Sequence, residues 1–144
     1  MVVTFIGHSD TSYDIEPILK ETIENLITNF NANLFYIGTH GNFDTMAKKC
    51  IIQLKQNYPH IKYYCVLAYI PRRINESIDY SDTIFPSGIE KAPPKFAIIQ
   101  RNNWMIENAE IVICYVRHTF SNSSKFLKIA QKKEKIIINL YKKI

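Results

Sequence analysis

The sequence predicts a single α/β domain in which a parallel β-sheet of about five strands is covered by helices on both faces. Short apolar segments alternate with longer segments whose apolar residues recur at helical spacing. The short segments are apolar at consecutive positions, which is typical of strands buried on two sides. With 144 residues and 47% hydrophobic content, the chain can form one globular core, and the whole of 1–144 is expected to be one domain.

The first half of the chain contains the strand–loop–helix unit twice. Gly7 and Gly38 end two β-branched and aromatic runs, and Asp14 is the expected N-cap of the first helix. Apolar residues at intervals of three and four then define one face of each helix. The predicted elements are strands at 2–6 and 33–37 and helices at 15–30 and 43–58.

The second half begins with a third strand, at 61–70, which Pro71 ends. Residues 71–94 are polar and rich in proline, and they predict a long loop over the site with only 83–85 as a possible short strand. Arg72 and Arg73 at its start are candidate phosphate contacts, although ordinary exposed arginines are the simpler interpretation. The remaining predicted elements are helices at 95–108 and 123–133 and strands at 110–116 and 135–140.

Composition and charge narrow the classes of function. The net charge is +5, but residues 125–144 hold seven lysines and one glutamate, so the basic character belongs to one end of the chain. A solvated helix face is the simpler interpretation, and nucleic-acid binding is possible but less favoured because no aromatic residues alternate with the lysines. No apolar run is long enough to cross a membrane, and we expect a cytoplasmic protein without membrane contact.

The cysteines and histidines indicate no metal centre. Cys50, Cys65 and Cys114 each lie in an apolar stretch, where a thiol behaves as a small hydrophobic group, and buried free thiols are expected. The four histidines show no spacing typical of metal ligands. The sequence therefore predicts no metal and no cofactor.

Polar loops follow the predicted strands and should meet at one edge of the sheet, where ligands of such folds bind. In the loop after the second strand, Gly38 and Gly41 allow close backbone approach, and the N–H groups at the start of the next helix attract a phosphate. An ordinary turn capped by Asn42 or Asp44 is the alternative. The candidate ligand-binding residues of the first two loops are Gly7, His8, Gly38, Thr39, His40, Gly41, Asn42 and Asp44.

A second group of candidates comes from the last two predicted helices. The serine-rich loop before the final helix can bind phosphate or ribose, or simply cap that helix. On the preceding helix an arginine and an amide interrupt an otherwise apolar stripe formed by Ile98, Arg101, Asn102, Met105 and Ala109. A buried arginine needs an anion, although a structural ion pair would also satisfy it. The candidate ligand-binding residues here are Arg101, Asn102, Ser121, Asn122, Ser123 and Ser124.

The order of these motifs resembles the SLOG superfamily, the Rossmann-like group that includes the LOG phosphoribohydrolases and the DprA- and YpsA-like proteins. The resemblance rests on strands ending in FIGHSD and FYIGTHGNFDTMA, on a helix with RNNWMIENAEIV, and on a strand followed by a small-residue loop. It covers nearly the whole chain, from Val2 to about Leu140. It implies a nucleotide or nucleotide-derived ligand and a homodimer.

The resemblance also assigns individual positions. Gly38, Gly41 and Met46 match the first glycine-rich loop of LOG proteins, and Asp44 resembles the aspartate of the GxD turn in DprA- and YpsA-like members. Arg101 and Met105 match the RKxxM segment, with Asn102 in place of lysine. The PGGxGTxxE signature is missing: Ser121, Asn122 and Ser123 occupy its glycine positions, and Lys125 and Lys128 stand where its glutamate is sought.

This departure decides the order of the functional hypotheses. N-glycosidic cleavage needs a carboxylate at the reacting carbon, so a nucleotide-binding module is the leading hypothesis. A LOG-like N-glycosidase or a deoxyribosyltransferase-like enzyme is the alternative, with Asp10, Asp44 or Glu107 as the substitute carboxylate. Its catalytic residues are unknown, and the candidates are Asp44 and Arg101. DprA-like DNA binding is the third hypothesis.

Overall fold

A computed structural model shows one parallel six-stranded sheet with the strand order β4-β3-β2-β1-β5-β6. The structure describes residues 1–69 and 82–143. Every pair of neighbouring strands is parallel, as predicted, and the observed strand count is six because a two-residue strand joins the edge beside β3. The strands are β1 (Val2–Gly7), β2 (Leu34–Ile37), β3 (Lys62–Val66), β4 (Thr83–Ile84), β5 (Ile111–Tyr115) and β6 (Ile136–Asn139).

Four α-helices cover the two faces of this sheet. They are α1 (Glu16–Phe30), α2 (Asn42–Asn57), α3 (Pro94–Glu107) and α4 (Asn122–Lys132). The helices α1 and α2 pack in one core cluster around Phe5 and Phe35, and α3 and α4 pack in a second cluster around Val112 and Cys114. The two clusters lie on alternate side chains of the strands, which explains why the strand segments read as continuously apolar.

The strand order reverses direction between β1 and β5. The chain winds from β1 outward to β2 and β3, and then returns to place β5 on the other side of β1. At such a reversal the loops leave adjacent parallel strands in opposite directions and open a crevice at their carboxyl ends. The register Gly7↔Tyr115 brings the ends of β1 and β5 level at that crevice.

Several element boundaries differ from the prediction. The first helical segment begins with a 3-10 turn, and its N-cap is Ser12, whose hydroxyl accepts a hydrogen bond from the N–H of Asp14 at 3.2 Å. Asp14 is therefore not the cap. The third strand ends at Val66 and not at residue 70, because its neighbour β2 ends at Ile37, which pairs with Cys65. All three cysteines are buried free thiols, as expected.

The segment 71–94 is described only from residue 82 onward. Its described part forms β4 and a 3-10 turn over Ile89–Lys91, and Ile89 packs with Ala68 and Ala97. Residues 70–81 lie outside the part of the chain that the structure describes. They include Arg72, Arg73 and the first part of the loop expected over the site. None of the helices in the described part of the chain has the length and apolarity needed to cross a membrane.

Candidate functional site

The loop after β2 is built around Gly38. A Cβ placed on this residue would lie 2.6 Å from Oδ2 of Asp44 and 3.2 Å from Cζ of Arg101, so both side chains close directly against its backbone. The same Oδ2 accepts a hydrogen bond from the N–H of His40 at 3.1 Å. Asp44 is thus the third residue of α2 and reaches back to hold the turn that precedes the helix.

Arg101 is the buried charge of the site, with 1% of its surface exposed. Its Nε donates to Oδ1 of Asn102 at 2.7 Å, and its Nη1 donates to the carbonyl of Val66 at 3.1 Å and to the Thr39 hydroxyl at 3.2 Å. Its Nη2 lies 3.4 Å from Nδ1 of His40. All these partners are neutral acceptors. In the described part of the chain no carboxylate lies within 4.0 Å of the guanidinium.

Burial shifts the acid–base properties of this cluster. Desolvation raises the pKa of Asp44 to about 6, against the opposing effects of the Arg101 charge and the hydrogen bond from His40. Desolvation also lowers the pKa of Arg101 and, together with the Arg101 charge, that of His40. A neutral His40 leaves Nδ1 free to accept from Arg101. The cluster is therefore arranged around a buried cation that interacts electrostatically with Asp44 but, among the described residues, has no carboxylate within 4.0 Å.

The loop after β1 supplies the next wall. His8 is buried, and its Nε2 accepts a hydrogen bond from the N–H of Arg117 at 3.2 Å, which ties the end of β1 to the loop after β5. Burial and the neighbouring His118 lower the pKa of His8, in keeping with an unprotonated Nε2. Gly7 allows α2 to approach, because a Cβ there would lie 2.3 Å from the Phe43 ring.

The serine-rich loop does cap its helix. Ser121 is the N-cap of α4, and its Oγ accepts from the N–H of Ser124 at 3.1 Å. The Ser124 hydroxyl donates to the carbonyls of Thr119 and Ser121. The capping interpretation of these two residues is thus correct, and the first-turn N–H groups of α4 point toward the same sheet edge as those of α2.

These segments enclose a cavity of about 720 Å³ at the carboxyl ends of β1 and β5. Its walls are residues 5–10, His40 with Asp44, one side of α3 that includes Ile99 and Asn102, and the start of α4. The volume lies within the range typical of small-molecule sites. A second cavity of about 650 Å³ lies on the other side of Asp44, between α2 and β3, and contains Ile52, Lys48 and Cys65.

Most of the residues predicted from the sequence meet in the first cavity. Those that line it are Gly7, His8, His40, Asp44, Arg101, Asn102, Ser121, Asn122 and Ser123. Gly38 and Thr39 line the second cavity together with Asp44. Gly41, Asn42 and Ser124 line neither, because Gly41 packs on Ser9 and the other two side chains bond to backbone carbonyls.

One carboxylate that was predicted and two residues that were not also line this cavity. Asp10 lines it, whereas Glu107 is exposed and paired with Lys133 outside it. Lys95 and Ile99 also line it and were missed from the sequence. Extending the stripe of Ile98 and Asn102 back by one helical interval reaches Lys95, so the missing signal was the first turn of α3.

Comparison with solved structures finds a protein with the same fold. DNA processing protein A (DprA) from Streptococcus pneumoniae superposes with a TM-score of 0.68 and 18% sequence identity, over 94% of this chain. The match takes up 48% of DprA, so the chain spans about half of that protein's length. No family model and no curated protein matches the sequence. The comparison thus establishes a DprA-like, Rossmann-like fold.

Proposed function

We propose that the protein binds a nucleotide or a nucleotide-derived ligand in the cavity at the carboxyl ends of β1 and β5. The observation that carries the proposal is the buried guanidinium of Arg101, which lines this cavity and, among the described residues, has no carboxylate within 4.0 Å. Asp44 offsets part of the cost of burying this cation, and a phosphate in direct contact with the guanidinium would offset more. We also propose that the chain is a member of the SLOG superfamily, since the motifs and the fold agree.

The rest of the cavity suits the other parts of a nucleotide. The first turn of α4, whose Asn122 and Ser123 line the cavity, offers backbone N–H groups to a phosphate. Ile98, Ile99 and Phe126 give one wall an apolar surface that fits the face of a base. The side chains of Asn102 and Asn122 add hydrogen-bonding groups for ribose or base edges.

Asn102→Asp tests this proposal, because it places a carboxylate on the acceptor that already lies 2.7 Å from Nε of Arg101. The variant would neutralise the cavity's cation with an internal ion pair. We expect higher thermal stability and a loss of AMP affinity of about tenfold or more, measured by calorimetric titration. Gln100→Glu is the matched control, since it adds the same charge at an exposed position on α3 that does not line the cavity. Equal AMP affinity in both variants and the parent protein would refute the role of Arg101.

A second candidate function is N-glycosidic cleavage of a nucleotide. The specific observation in its favour is that two carboxylates, Asp10 and Asp44, line the same cavity. Burial raises the pKa of Asp44 to about 6, which suits a general acid near neutral pH. Release of free base from nucleoside monophosphates, abolished by Asp44→Asn, would support this function, and binding without base release would support the binding module.

A further inference from the structure

The cavity assigned to the nucleotide carries three cationic side chains, two from α3 and one from α4. Lys95 belongs to the first turn of α3 and Lys125 to the first turn of α4, and both line the cavity. Arg101 adds the buried charge described above. One phosphate beside Arg101 would leave the two lysines at the cavity rim without an anion.

The ion pairs among the described residues involve two other lysines. Lys49 and Lys133 each pair with a glutamate, Glu16 and Glu107 respectively. In the part of the chain that the structure describes, neither cavity lysine has a carboxylate within 4.0 Å. The Lys95 ammonium instead lies 5.0 Å from the centroid of the Phe96 ring, a contact that leaves its three N–H donors available.

The acidic side chains of the cavity do not cancel this positive charge. Asp44 lies against Gly38, and its Oδ2 is occupied by the N–H of His40. Asp10 is exposed on the loop after β1, where a carboxylate can accept hydrogen bonds from ribose hydroxyls. With Asp44 ionised, the lining still carries three basic side chains against two acidic ones.

We infer that the ligand carries at least two phosphate groups, one beside Arg101 and the next between Lys95 and Lys125. This inference rests on the proposed function and names its ligand class as nucleoside diphosphates and triphosphates. Lysine suits such a role because its ammonium is a compact charge on a flexible stem, which can follow a phosphate chain without fixed geometry. A cavity of about 720 Å³ is large enough for a ligand of this size.

Calorimetric titration of AMP, ADP and ATP in metal-free buffer tests the inference. We expect ADP and ATP to bind about tenfold or more tightly than AMP. Lys95→Gln and Lys125→Gln should each weaken ADP and ATP binding severalfold more than they weaken AMP binding. Lys128→Gln is the matched control, because Lys128 is an exposed lysine on α4 that does not line the cavity.

The outcomes separate this inference from the proposed function. If AMP binds and ADP and ATP bind no more tightly, the inference fails and the nucleotide site stands. If Lys128→Gln weakens ATP binding as much as Lys125→Gln does, only net charge is at work and the inference also fails. If none of the three nucleotides binds, the proposed function itself fails.

Discussion

At the scale of single residues, Asp44 joins the features of the site most directly. It lines both cavities, its carboxylate holds the turn at His40, and it lies beside Arg101 on the same side of Gly38. Keeping it ionised in a partly buried position costs stability, which is characteristic of functional sites.

Asp44→Asn is therefore expected to stabilise the protein at about pH 7.5, by about 1–3 kcal/mol. Below a pH of about 4 the carboxyl is protonated in both the native and the unfolded state, and the variant gains nothing. Between about pH 4 and the native-state pKa of about 6, Asp44 loses its proton in the unfolded state before it does so in the native state. Its contribution to the free energy of unfolding therefore falls as the pH rises. Urea unfolding at several pH values measures this. If Asp44→Asn stabilised the protein equally at pH 3.5 and pH 7.5, the burial of an ionised carboxylate would not be the cause.

The sequence predicted Arg101, Thr39 and His40 at one site, but not the hydrogen bonds between them or the role of the Val66 carbonyl. The stripe on α3 placed it inward, and the structure confirms its burial and that of Met105 and Ala109. Its partners Val66, Thr39 and His40 come from β3 and the loop after β2, which are distant in sequence. A helical period defines which face a residue occupies and carries no information about the elements that pack against it.

At the scale of secondary structure elements, the position of α2 depends on Gly41. This residue is the N-cap of α2 with φ = 96°, and a Cβ there would lie 2.5 Å from the Cα of Ser9. The close packing brings the loop after β1 beside the start of α2, and Asn42 donates its N–H to the Ser9 carbonyl at 2.8 Å. The wall of the cavity is thus built by backbone contact between two loops.

Gly41→Ala is expected to destabilise the protein by about 2–4 kcal/mol, from the positive φ and the overlap with Ser9 together. Gly88→Ala is the comparison for a positive φ without crowding; Gly88 is left-handed with ψ = −6°, whereas Gly41 has ψ = 175°, a region still less favourable for alanine. Gly88 also has a positive φ, of 85°, but a Cβ there meets nothing within 4 Å, so only the backbone strain of about 1 kcal/mol is expected. Thermal or urea unfolding of the two variants measures the difference. Equal losses would show that the approach of Ser9 is unimportant.

The edge of the sheet was the least predictable element. The apolar run 63–70 indicates a long strand. The length of β3 is instead set by its pairing with the short neighbours β2 and β4. β4 has two residues, too few to produce an alternating pattern in the sequence. The central strands were predictable because burial on both faces leaves a continuous apolar run, whereas strand ends depend on the lengths of neighbours.

At the scale of the whole molecule, the fold brings two cavities to the same end of the sheet, separated by Asp44. The central claim is that the nucleotide binds between β1, α3 and α4 and not between α2 and β3. The two cavities offer a matched pair of exposed isoleucines: Ile99 on α3 lines the first and is 43% exposed, and Ile52 on α2 lines the second and is 44% exposed.

The most direct test is calorimetric titration of AMP into Ile99→Glu and Ile52→Glu. Each variant replaces an apolar side chain by a charged one of no greater volume at a half-exposed helical position, so both should fold. We predict that Ile99→Glu weakens AMP binding by about tenfold or more, because the carboxylate repels the phosphate, and that Ile52→Glu leaves the affinity within about twofold of the parent. Loss of binding in Ile52→Glu with unchanged binding in Ile99→Glu would place the ligand in the other cavity and contradict the account.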